Sequence, residues 1–459
     1  MAIIRVFRDR LLSLWQSSVA DVFEAHGHAD HESMRATADY GEALANRPAW
    51  MGVEDILQNL SHDNYPAFVS GVHHQLAIAR VSEDGRFFEH LIGLARDAAF
   101  SLFGKRFEEG HDPRWGRCIQ VYREYHRNIN EPERYRHGSV DGEVRGDFSV
   151  IDPAFGRSAR IGLVGDWGTG EPEALGVFRA MVAEKPDLII HLGDIYYSGT
   201  PAECERHFKD VIRSQIGYGG PVFILAGNHD YYAAGAGYFS LLDTLNPGRP
   251  QEASFFCLRN DHWQLLGMDT GYYDSVPMQA QVGRAIHASI ATHLRQSEVD
   301  WLAYQLKSAG DRSTILLSHH QLFSAYDQIG IVRRGESLND ELWMTFRKYM
   351  SGRHGSSSRV RAWFWGHEHD YMTFDRDYKE LNLGVCIGHG GIPVRVADHP
   401  KPLPAPYGGL SQLSQHELGA DETHYRHGFS LLDLDKQIAQ LHTFELLNGQ
   451  LHRIGHAVV

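Results

Sequence analysis

The sequence predicts an α/β fold in which a pair of packed β-sheets is flanked by helices and preceded by an all-α N-terminal region. From about residue 158, short apolar runs alternate with helical patterns in the order strand, helix, strand, helix, strand. That order is typical of a parallel sheet whose loops gather at one edge. In residues 1–150, apolar residues instead recur at the spacing of one helix face, which predicts helices.

Each element is predicted from its apolar pattern and from the Gly, Pro, Asn and Asp clusters that bound it. In the first region, helical patterns cover about 4–23, 65–81, 87–107 and 114–125. Beyond it, strands are expected at 161–164, 188–190, 222–225, 254–258, 263–268, 314–317, 360–365, 429–434 and 441–446. Helices are expected at 171–184, 202–212, 238–245 and 298–307. We therefore divide the chain into a helical region, 1–150, and a second domain, 151–459.

Composition narrows the choice of partners and compartment. The 459 residues include 44 Lys and Arg against 58 Asp and Glu, which gives a net charge of −14. Such a surface argues against binding to nucleic acid or to an anionic membrane. The 4 cysteines are scattered and form no CxxC motif, which fits a reducing compartment. Arginines interrupt the N-terminal apolar runs before they reach the length of a signal or membrane segment, so we expect a cytoplasmic protein.

Polar side chains follow five of the predicted strands directly. They are Asp166; Asp194 with Tyr197; Asn228 with His229; His319 with His320; and His367 with His369. Residues just beyond the carboxyl ends of such strands line the ligand crevice of open α/β sheets. One such residue is as well explained by a helix cap, but five strand ends in one domain are not. The pattern therefore predicts a metal site.

The chemistry of these donors indicates the kind of metal. Oxygen and imidazole ligands without thiolate favour Fe, Mn, Zn or Co over a structural zinc site. Seven of these nine side chains are candidate ligands, which is more than one ion needs, so we expect two ions that share a bridging carboxylate. Two-metal sites hold the attacking and the leaving oxygen of an in-line displacement. The residues thus indicate hydrolysis of a phosphoester.

Five short motifs resemble, in order, those of the calcineurin-like metallophosphoesterases. They are GDWG at 165–168, GDIYY at 193–197, GNHD at 227–230, LLSH at 316–319 and GHEH at 366–369. Gly168 stands where most members have a ligating histidine, and Tyr197 closes the second motif, a combination that resembles the purple acid phosphatase branch. The resemblance implies a metallophosphoesterase-type β-sandwich flanked by helices. It also implies Fe(III) at one site and a divalent ion (Fe, Zn or Mn) at the other.

The resemblance further implies a role for each residue. The first metal would be held by Asp166, Asp194, Tyr197 and His369, and the second by Asp194, Asn228, His319 and His367. His229 would contact the phosphate or protonate the leaving group, and Asp230 would hydrogen-bond an imidazole. For His320, a catalytic role and a packed, supporting role are both open.

The expected function is a dinuclear-metal phosphatase that hydrolyses phosphomonoesters of small molecules by in-line attack of a metal-bound hydroxide. A phosphodiesterase or nucleotide-cleaving enzyme would use the same metals and is the first alternative. A non-catalytic interaction module is the second, although such a module has no need of seven donors. Three roles are open for the N-terminal helices: they shape the crevice, form a homo-oligomer or recruit a partner.

Overall fold

The computed structural model describes residues 106–108, 115, 117–126, 135–275, 291–326, 329, 337–350, 359–374, 381–399, 415–416 and 418–459. Most of the predicted helical region, including the patterns at 4–23 and 65–81, lies outside these residues, as does nearly all of 87–107. The helix expected at 114–125 is confirmed as α1 (Arg117–His126).

The helices of the second domain fall between its strands, as predicted. They are α2 (Pro172–Ala183), α3 (Pro201–Glu203), α4 (Asn228–Tyr232), α5 (Ala236–Thr244), α6 (Gln296–Lys307) and α7 (Asp340–Met350). Two π-helical segments, Cys204–Lys209 and Val211–Gln215, continue α3. Thr200 caps α3 in a capping box with Glu203, which satisfies the free amides of the first turn. Among the described residues, no helix has the length and apolar character needed to cross a membrane.

The strands form two large sheets and one small hairpin. In chain order they are β1 (Ser139–Val140), β2 (Glu143–Val144), β3 (Val150–Ile151), β4 (Ser158–Val164), β5 (Leu188–His191), β6 (Val222–Ile224), β7 (Phe256–Arg259), β8 (Trp263–Gly267), β9 (Ser313–Leu317), β10 (Arg359–Trp365), β11 (Tyr371–Phe374), β12 (Gly384–Ile387), β13 (Gln415–His416), β14 (Gly428–Asp435), β15 (Ile438–Leu447) and β16 (Gln450–Val458). The smaller sheet has the order β16-β15-β14-β4-β5-β6, and the larger has the order β13-β11-β12-β10-β9-β8-β7-β3.

The predicted parallel strands are neighbours within each sheet. In the smaller sheet β4, β5 and β6 are parallel, and in the larger sheet β8, β9, β10 and β12 are parallel. Parallel strands end at the same edge, so the loops that follow them are neighbours. The region expected to be helical, 1–150, also contributes to the larger sheet, because Val150 of β3 pairs with Cys257 of β7.

The core explains why the central strands are apolar on both faces. Ile190 of β5 packs in one buried cluster with Leu317 of β9 and Phe364 of β10, which joins the two sheets. Its neighbour Ile189 belongs to a second cluster with Val177 and Phe178 of α2. Successive side chains of a strand point to opposite faces, so one contacts the other sheet and the next contacts a helix. Each such side chain contributes about 1.5–3 kcal/mol through burial.

Candidate active site

The five predicted ligand loops meet where the two sheets come together. Backbone hydrogen bonds tie neighbouring loops: the Asp166 amide donates to the Gly193 carbonyl at 3.1 Å, and the Gly366 amide donates to the His319 carbonyl at 3.0 Å. The expected ligands Asp166, Asp194, Asn228 and His319 are all buried. The loops of both sheets therefore form one buried polar cluster.

The backbone of these loops is unusual. Four expected ligands have a left-handed conformation: Asp166 (φ 55°), Asp194 (φ 73°), His367 (φ 66°) and His369 (φ 43°). Non-glycine residues adopt it rarely, and it concentrates at functional sites because the surroundings must hold it in place. Gly227 is required for a different reason: a Cβ there would overlap Oδ1 of Asp194 and lie 2.8 Å from Nε2 of His319.

One group of donor atoms surrounds Nε2 of His319. This nitrogen lies 3.3 Å from Oδ1 of Asn228, 3.1 Å from Nδ1 of His367 and 3.3 Å from Oδ2 of Asp194. Nδ1 of His319 is 3.0 Å from the Leu192 carbonyl oxygen. A carbonyl only accepts, so Nδ1 carries the hydrogen and Nε2 keeps the lone pair that a metal ion needs. This group matches the set expected for the second metal.

A second group surrounds the hydroxyl of Tyr196. It lies 3.0 Å from Oδ1 of Asp166, 2.9 Å from Nε2 of His369 and 3.2 Å from Oδ2 of Asp194. Oδ1 of Asp166 is also 3.4 Å from Nε2 of His369. Asp194 Oδ2 thus lies in contact with both groups, which is the position expected of a bridging ligand.

The tyrosine in this cluster is Tyr196, whereas the sequence pattern pointed to Tyr197. The Tyr197 ring instead stacks on Phe107 at 4.2 Å between ring centroids and meets the edge of Trp115 at 5.1 Å. Two tyrosines stand side by side in GDIYY, and the pattern cannot decide which of them turns towards the carboxylates. Tyr197 as a metal ligand stays a prediction, and Tyr196 is a second candidate for that position because its hydroxyl contacts the carboxylates.

The electrostatics of the cluster favour bound cations. Burial, reinforced by the charge of Asp194, raises the pKa of Asp166 to about 7 and that of Asp230 to about 8. Burial also raises the pKa of Asp194, but the neighbouring His319 and His229 outweigh it and lower that pKa below its usual range. Three carboxyl groups thus share one buried space with His319 and His229. Such a set is stable when it is paired with cations.

The residues expected to act beside the metals differ in what they contact. His229 Nδ1 is 2.6 Å from the Tyr197 carbonyl oxygen, so Nδ1 donates and Nε2 faces Asp194, with 4.0 Å between Nε2 and Oδ2. Asp230 does not bond an imidazole as expected: its Oδ2 accepts from the backbone amides of Gly227 at 2.9 Å and Asp194 at 3.0 Å. Asp230 thus ties the loop of Asp194 to the loop of Gly227.

For His320 the contacts favour the supporting role. Its Nε2 lies 3.1 Å from Oδ2 of Asp274, and its Nδ1 lies 3.1 Å from the Thr270 hydroxyl. Its ring lies 4.4 Å from that of His367, between centroids. The nitrogens of His320 are close enough to those of His319 and His367, within 4.8 Å, to join a metal site. Since both are already paired within the protein, we assign His320 to holding His367 in place.

Thr270 and Asp274 are residues that the sequence analysis missed. They follow β8 in the stretch DTGYYD, which has the same signal as the predicted ligand loops, polar residues directly after an apolar strand. The hydrogen bonds to His320 are all that the structure shows of their role at the site.

Comparison with known proteins assigns the domain. Residues 159–371 match the family model described as calcineurin-like phosphoesterase. This segment is a calcineurin-like phosphoesterase domain. It contains every expected metal ligand. The match assigns the domain to a metal-dependent phosphoesterase, which is a hydrolase. The phosphoesterase domain is confirmed, while the purple acid phosphatase branch stays a prediction. A search of curated proteins found no match.

Several solved structures are similar to this chain at low sequence identity. GAP50, the anchor in the inner membrane complex of Plasmodium, is 12% identical with a TM-score of 0.40, over 65% of this chain and 88% of that one. PhoD is 12% identical with a TM-score of 0.44, over 67% and 69%. Vacuolar protein sorting 29 from Cryptosporidium parvum is 12% identical with a TM-score of 0.32, over 66% and 98%.

Proposed function

We propose that this phosphoesterase domain is a dinuclear-metal phosphatase that hydrolyses phosphomonoesters. The observation that carries the proposal is the position of Asp194: its Oδ2 lies 3.2 Å from the Tyr196 hydroxyl and 3.3 Å from Nε2 of His319. These atoms belong to the two separate donor groups. A carboxylate oxygen between two such groups is the arrangement by which paired ions share a ligand.

Each ion has a full set of donors. Asp166, Asp194, Tyr196 and His369 would hold the first, and Asp194, Asn228, His319 and His367 the second. A phenolate is a hard, anionic ligand that favours a trivalent ion, so we propose Fe(III) at the first site and Fe, Zn or Mn as a divalent ion at the second. Bound there, the ions act as Lewis acids on the phosphoryl group and lower the pKa of water.

Hydrogen bonds within the protein hold the proposed ligand side chains in a fixed orientation. The Nδ1 hydrogen of His319 is donated to the Leu192 carbonyl, which fixes the ring so that Nε2 faces Asn228 and His367. The Asn228 amide nitrogen donates to the Tyr232 hydroxyl at 2.7 Å, which leaves its carbonyl oxygen turned to His319. Such supporting hydrogen bonds fix ligand orientation as firmly as the ligands fix the ion.

His229 is the residue proposed to meet the substrate. Its Nδ1–H is donated to the Tyr197 carbonyl, so Nε2 is the nitrogen that, once protonated, would hydrogen-bond a phosphoryl oxygen or pass its proton to the leaving oxygen. The side chain is buried, with 6% of its surface exposed. A donor in such a water-poor position interacts more strongly with an anionic group than it would in solvent.

The proposed substrate is a small phosphorylated molecule. A chain with a net charge of −14 repels the extended phosphate backbone of nucleic acid and an anionic membrane, whereas a single phosphate needs only the local positive charge of the ions. All four cysteines are free and buried, which supports a reducing compartment such as the cytoplasm. A homo-oligomer formed through the N-terminal helices stays a proposal, since most of those residues lie outside the described part of the chain.

The test combines composition, colour and turnover of the purified protein. We expect about two metal ions per chain, a broad visible absorption from the Fe(III) phenolate, and faster hydrolysis of p-nitrophenyl phosphate than of bis(p-nitrophenyl) phosphate. A colourless protein with two Mn or Zn ions would refute the ferric site alone. Faster cleavage of the diester would favour a phosphodiesterase, and a metal-loaded protein that cleaves neither would refute the phosphatase.

A further inference from the structure

The imidazole of His229 is enclosed by three aromatic rings. Between ring centroids, Tyr232 lies at 4.6 Å, Tyr196 at 4.8 Å and Trp115 at 5.3 Å. The ring makes a hydrogen bond through Nδ1 to the Tyr197 carbonyl oxygen. One hydrogen bond leaves a histidine ring free to pivot, because its outer torsion has a broad energy well. The rings around it therefore decide where Nε2 points.

Two of these rings belong to the ligand loops themselves, and the third does not. Tyr196 lies in the loop after β5, and Tyr232 ends α4. Trp115 lies outside residues 159–371, the part that matches the phosphoesterase family. It belongs to the region of 1–150 for which the sequence left the role open. Its contact with His229 brings this region to the candidate active site.

Trp115 is firmly held against the site. Its side chain is buried, with 4% exposed, and packs edge-on against Phe107 and Tyr196. Just after it, the Cys118 thiol donates to the Tyr197 carbonyl at 3.3 Å, and Nε2 of His126 donates to the Tyr231 carbonyl at 3.1 Å. Helix α1 is thus hydrogen-bonded to both loops that surround His229.

The segment before Trp115 is anchored to other parts of the domain. Arg106 forms an ion pair with Glu171, with 2.9 Å between Nη1 and Oε1. The buried Glu108 pairs with Arg395, and its Oε1 lies 3.2 Å from Nε2 of His424. A buried carboxylate paired with cationic side chains resists displacement, because separating the pair would leave an uncompensated charge. Arg106 and Glu108 are therefore held against the domain by these charged contacts.

We propose that Trp115 is a positioning residue that holds the His229 imidazole with Nε2 turned towards the bound phosphoryl group, an inference that rests on the proposed phosphatase activity. Trp115 meets the imidazole at an interplanar angle of 61°, beside Tyr196 and Tyr232. Phe107, Trp115 and helix α1 then shape the crevice. Small errors in the placement of a catalytic group lower turnover strongly, and a fixed ring avoids them.

The test is a double-mutant cycle between Trp115 and His229, measured with an aryl phosphate on metal-loaded protein. We expect Trp115→Ala to lower kcat about tenfold with little change in KM, and Trp115→Phe, which keeps an aromatic ring, to stay within about threefold of the wild type. In a His229→Ala background, Trp115→Ala should change kcat less than about twofold, because its effect passes through the missing imidazole.

Trp301→Phe is the matched control. Trp301 is fully buried, and its indole donates to the Phe148 carbonyl at 2.8 Å in another part of the core, so this variant should lose stability but keep kcat. An equal loss from Trp115→Ala in both backgrounds would overturn the proposal in favour of a structural role. An equal loss in Trp115→Ala and Trp115→Phe would overturn it as well, because the indole N–H would then be what matters.

A crystal structure of Trp115→Ala separates this inference from the proposed activity. We expect the His229 ring to adopt more than one orientation, whether or not the protein hydrolyses phosphomonoesters. A single, unchanged orientation would overturn the positioning role. If the wild-type protein hydrolyses no phosphomonoester, the proposed function fails. The orientation of the His229 ring in the variant still tests whether Trp115 positions it.

Discussion

Nε2 of His319 lies 3.3 Å from Oδ2 of Asp194, and this contact joins the two sheets of the domain. Asp194 follows β5 of the smaller sheet, and His319 follows β9 of the larger one. The donor groups are therefore completed only when the sheets pack against each other. Metal binding and sheet packing are expected to stabilise one another, since an ion that binds only the folded state adds its binding energy to stability.

Removal of the metals should lower thermal stability. We expect a chelator to reduce the unfolding midpoint by about 5–10 °C, the shift that a few kcal/mol produces in a domain of this size. Scanning calorimetry before and after dialysis against the chelator measures it. Asp194→Asn is the control: without the shared carboxylate it should bind little metal, so the chelator should leave its midpoint unchanged. An unchanged wild-type midpoint after chelation would contradict the coupling of metal binding to sheet packing.

Tyr196 and Tyr197 are distinguished by the same substitution. Tyr196→Phe removes the hydroxyl that contacts Asp166, Asp194 and His369, so it should abolish the visible absorption and lower the iron content. Tyr197→Phe keeps the ring that stacks on Phe107 and should preserve the colour. The measurement is the visible spectrum together with elemental analysis. Loss of colour in Tyr197→Phe alone would identify Tyr197 as the ligand.

Gly227 offers a test of the space at the shared carboxylate. Alanine there would place a methyl group on Oδ1 of Asp194, so Gly227→Ala should lower metal content and reduce turnover by at least about a hundredfold. Gly176→Ala is the matched control, because its Cβ would only touch Leu446 at 3.6 Å. Within α2 it should stabilise the fold by about 0.5–1 kcal/mol. Normal metal content in Gly227→Ala would show that the loop can move aside.

Glu298 should make stability fall as pH rises. Burial, with the nearby Asp269 carboxylate, raises the pKa of Glu298 well above its usual value. A carboxyl with a higher pKa in the folded than in the unfolded state favours folding below the unfolded pKa, and this contribution is lost as pH rises towards the folded pKa. Glu298→Gln cannot ionise, so it should lose less stability than the wild type between about pH 5 and about pH 8.

Thermal unfolding at several pH values measures the effect of Glu298→Gln. Glu205→Gln is a suitable control because Glu205 is half-exposed, in a surface ion pair with Lys209 whose Oε2–Nζ distance is 3.1 Å, and its curve should run parallel to that of the wild type. A Glu298→Gln curve that also runs parallel would show that Glu298 is ionised in the folded protein.

The ligand loops were predictable because their signal is local. A buried parallel strand is a short apolar run, and a polar residue directly after it stands out, as with Asp166 after β4 or His319 after β9. The two sheets followed from the same runs. The choice between Tyr196 and Tyr197 was not predictable, because it depends on the path of the backbone through the loop and not on residue type.

Other features escaped the sequence because they lack a local pattern. Strand β16 (Gln450–Val458) lies at the edge of the smaller sheet and is partly exposed on both faces, so its sequence is mixed rather than apolar. Strand β12 (Gly384–Ile387) is short and begins with glycine, which weakens the strand signal. The contact of Trp115 with His229 joins residues far apart in the sequence, and no sequence pattern near Trp115 indicates it.

The pairing of β4 with β14 has a consequence for synthesis. Ser158 and Asp435 are 277 positions apart, yet they pair side by side in the smaller sheet. A nascent chain that has emerged as far as His369 already carries every proposed ligand, but the edge of β4 that pairs with β14 is still unpaired. Exposed strand edges invite pairing with other chains. On the ribosome, protection against aggregation at this edge therefore arrives only after β14 has emerged.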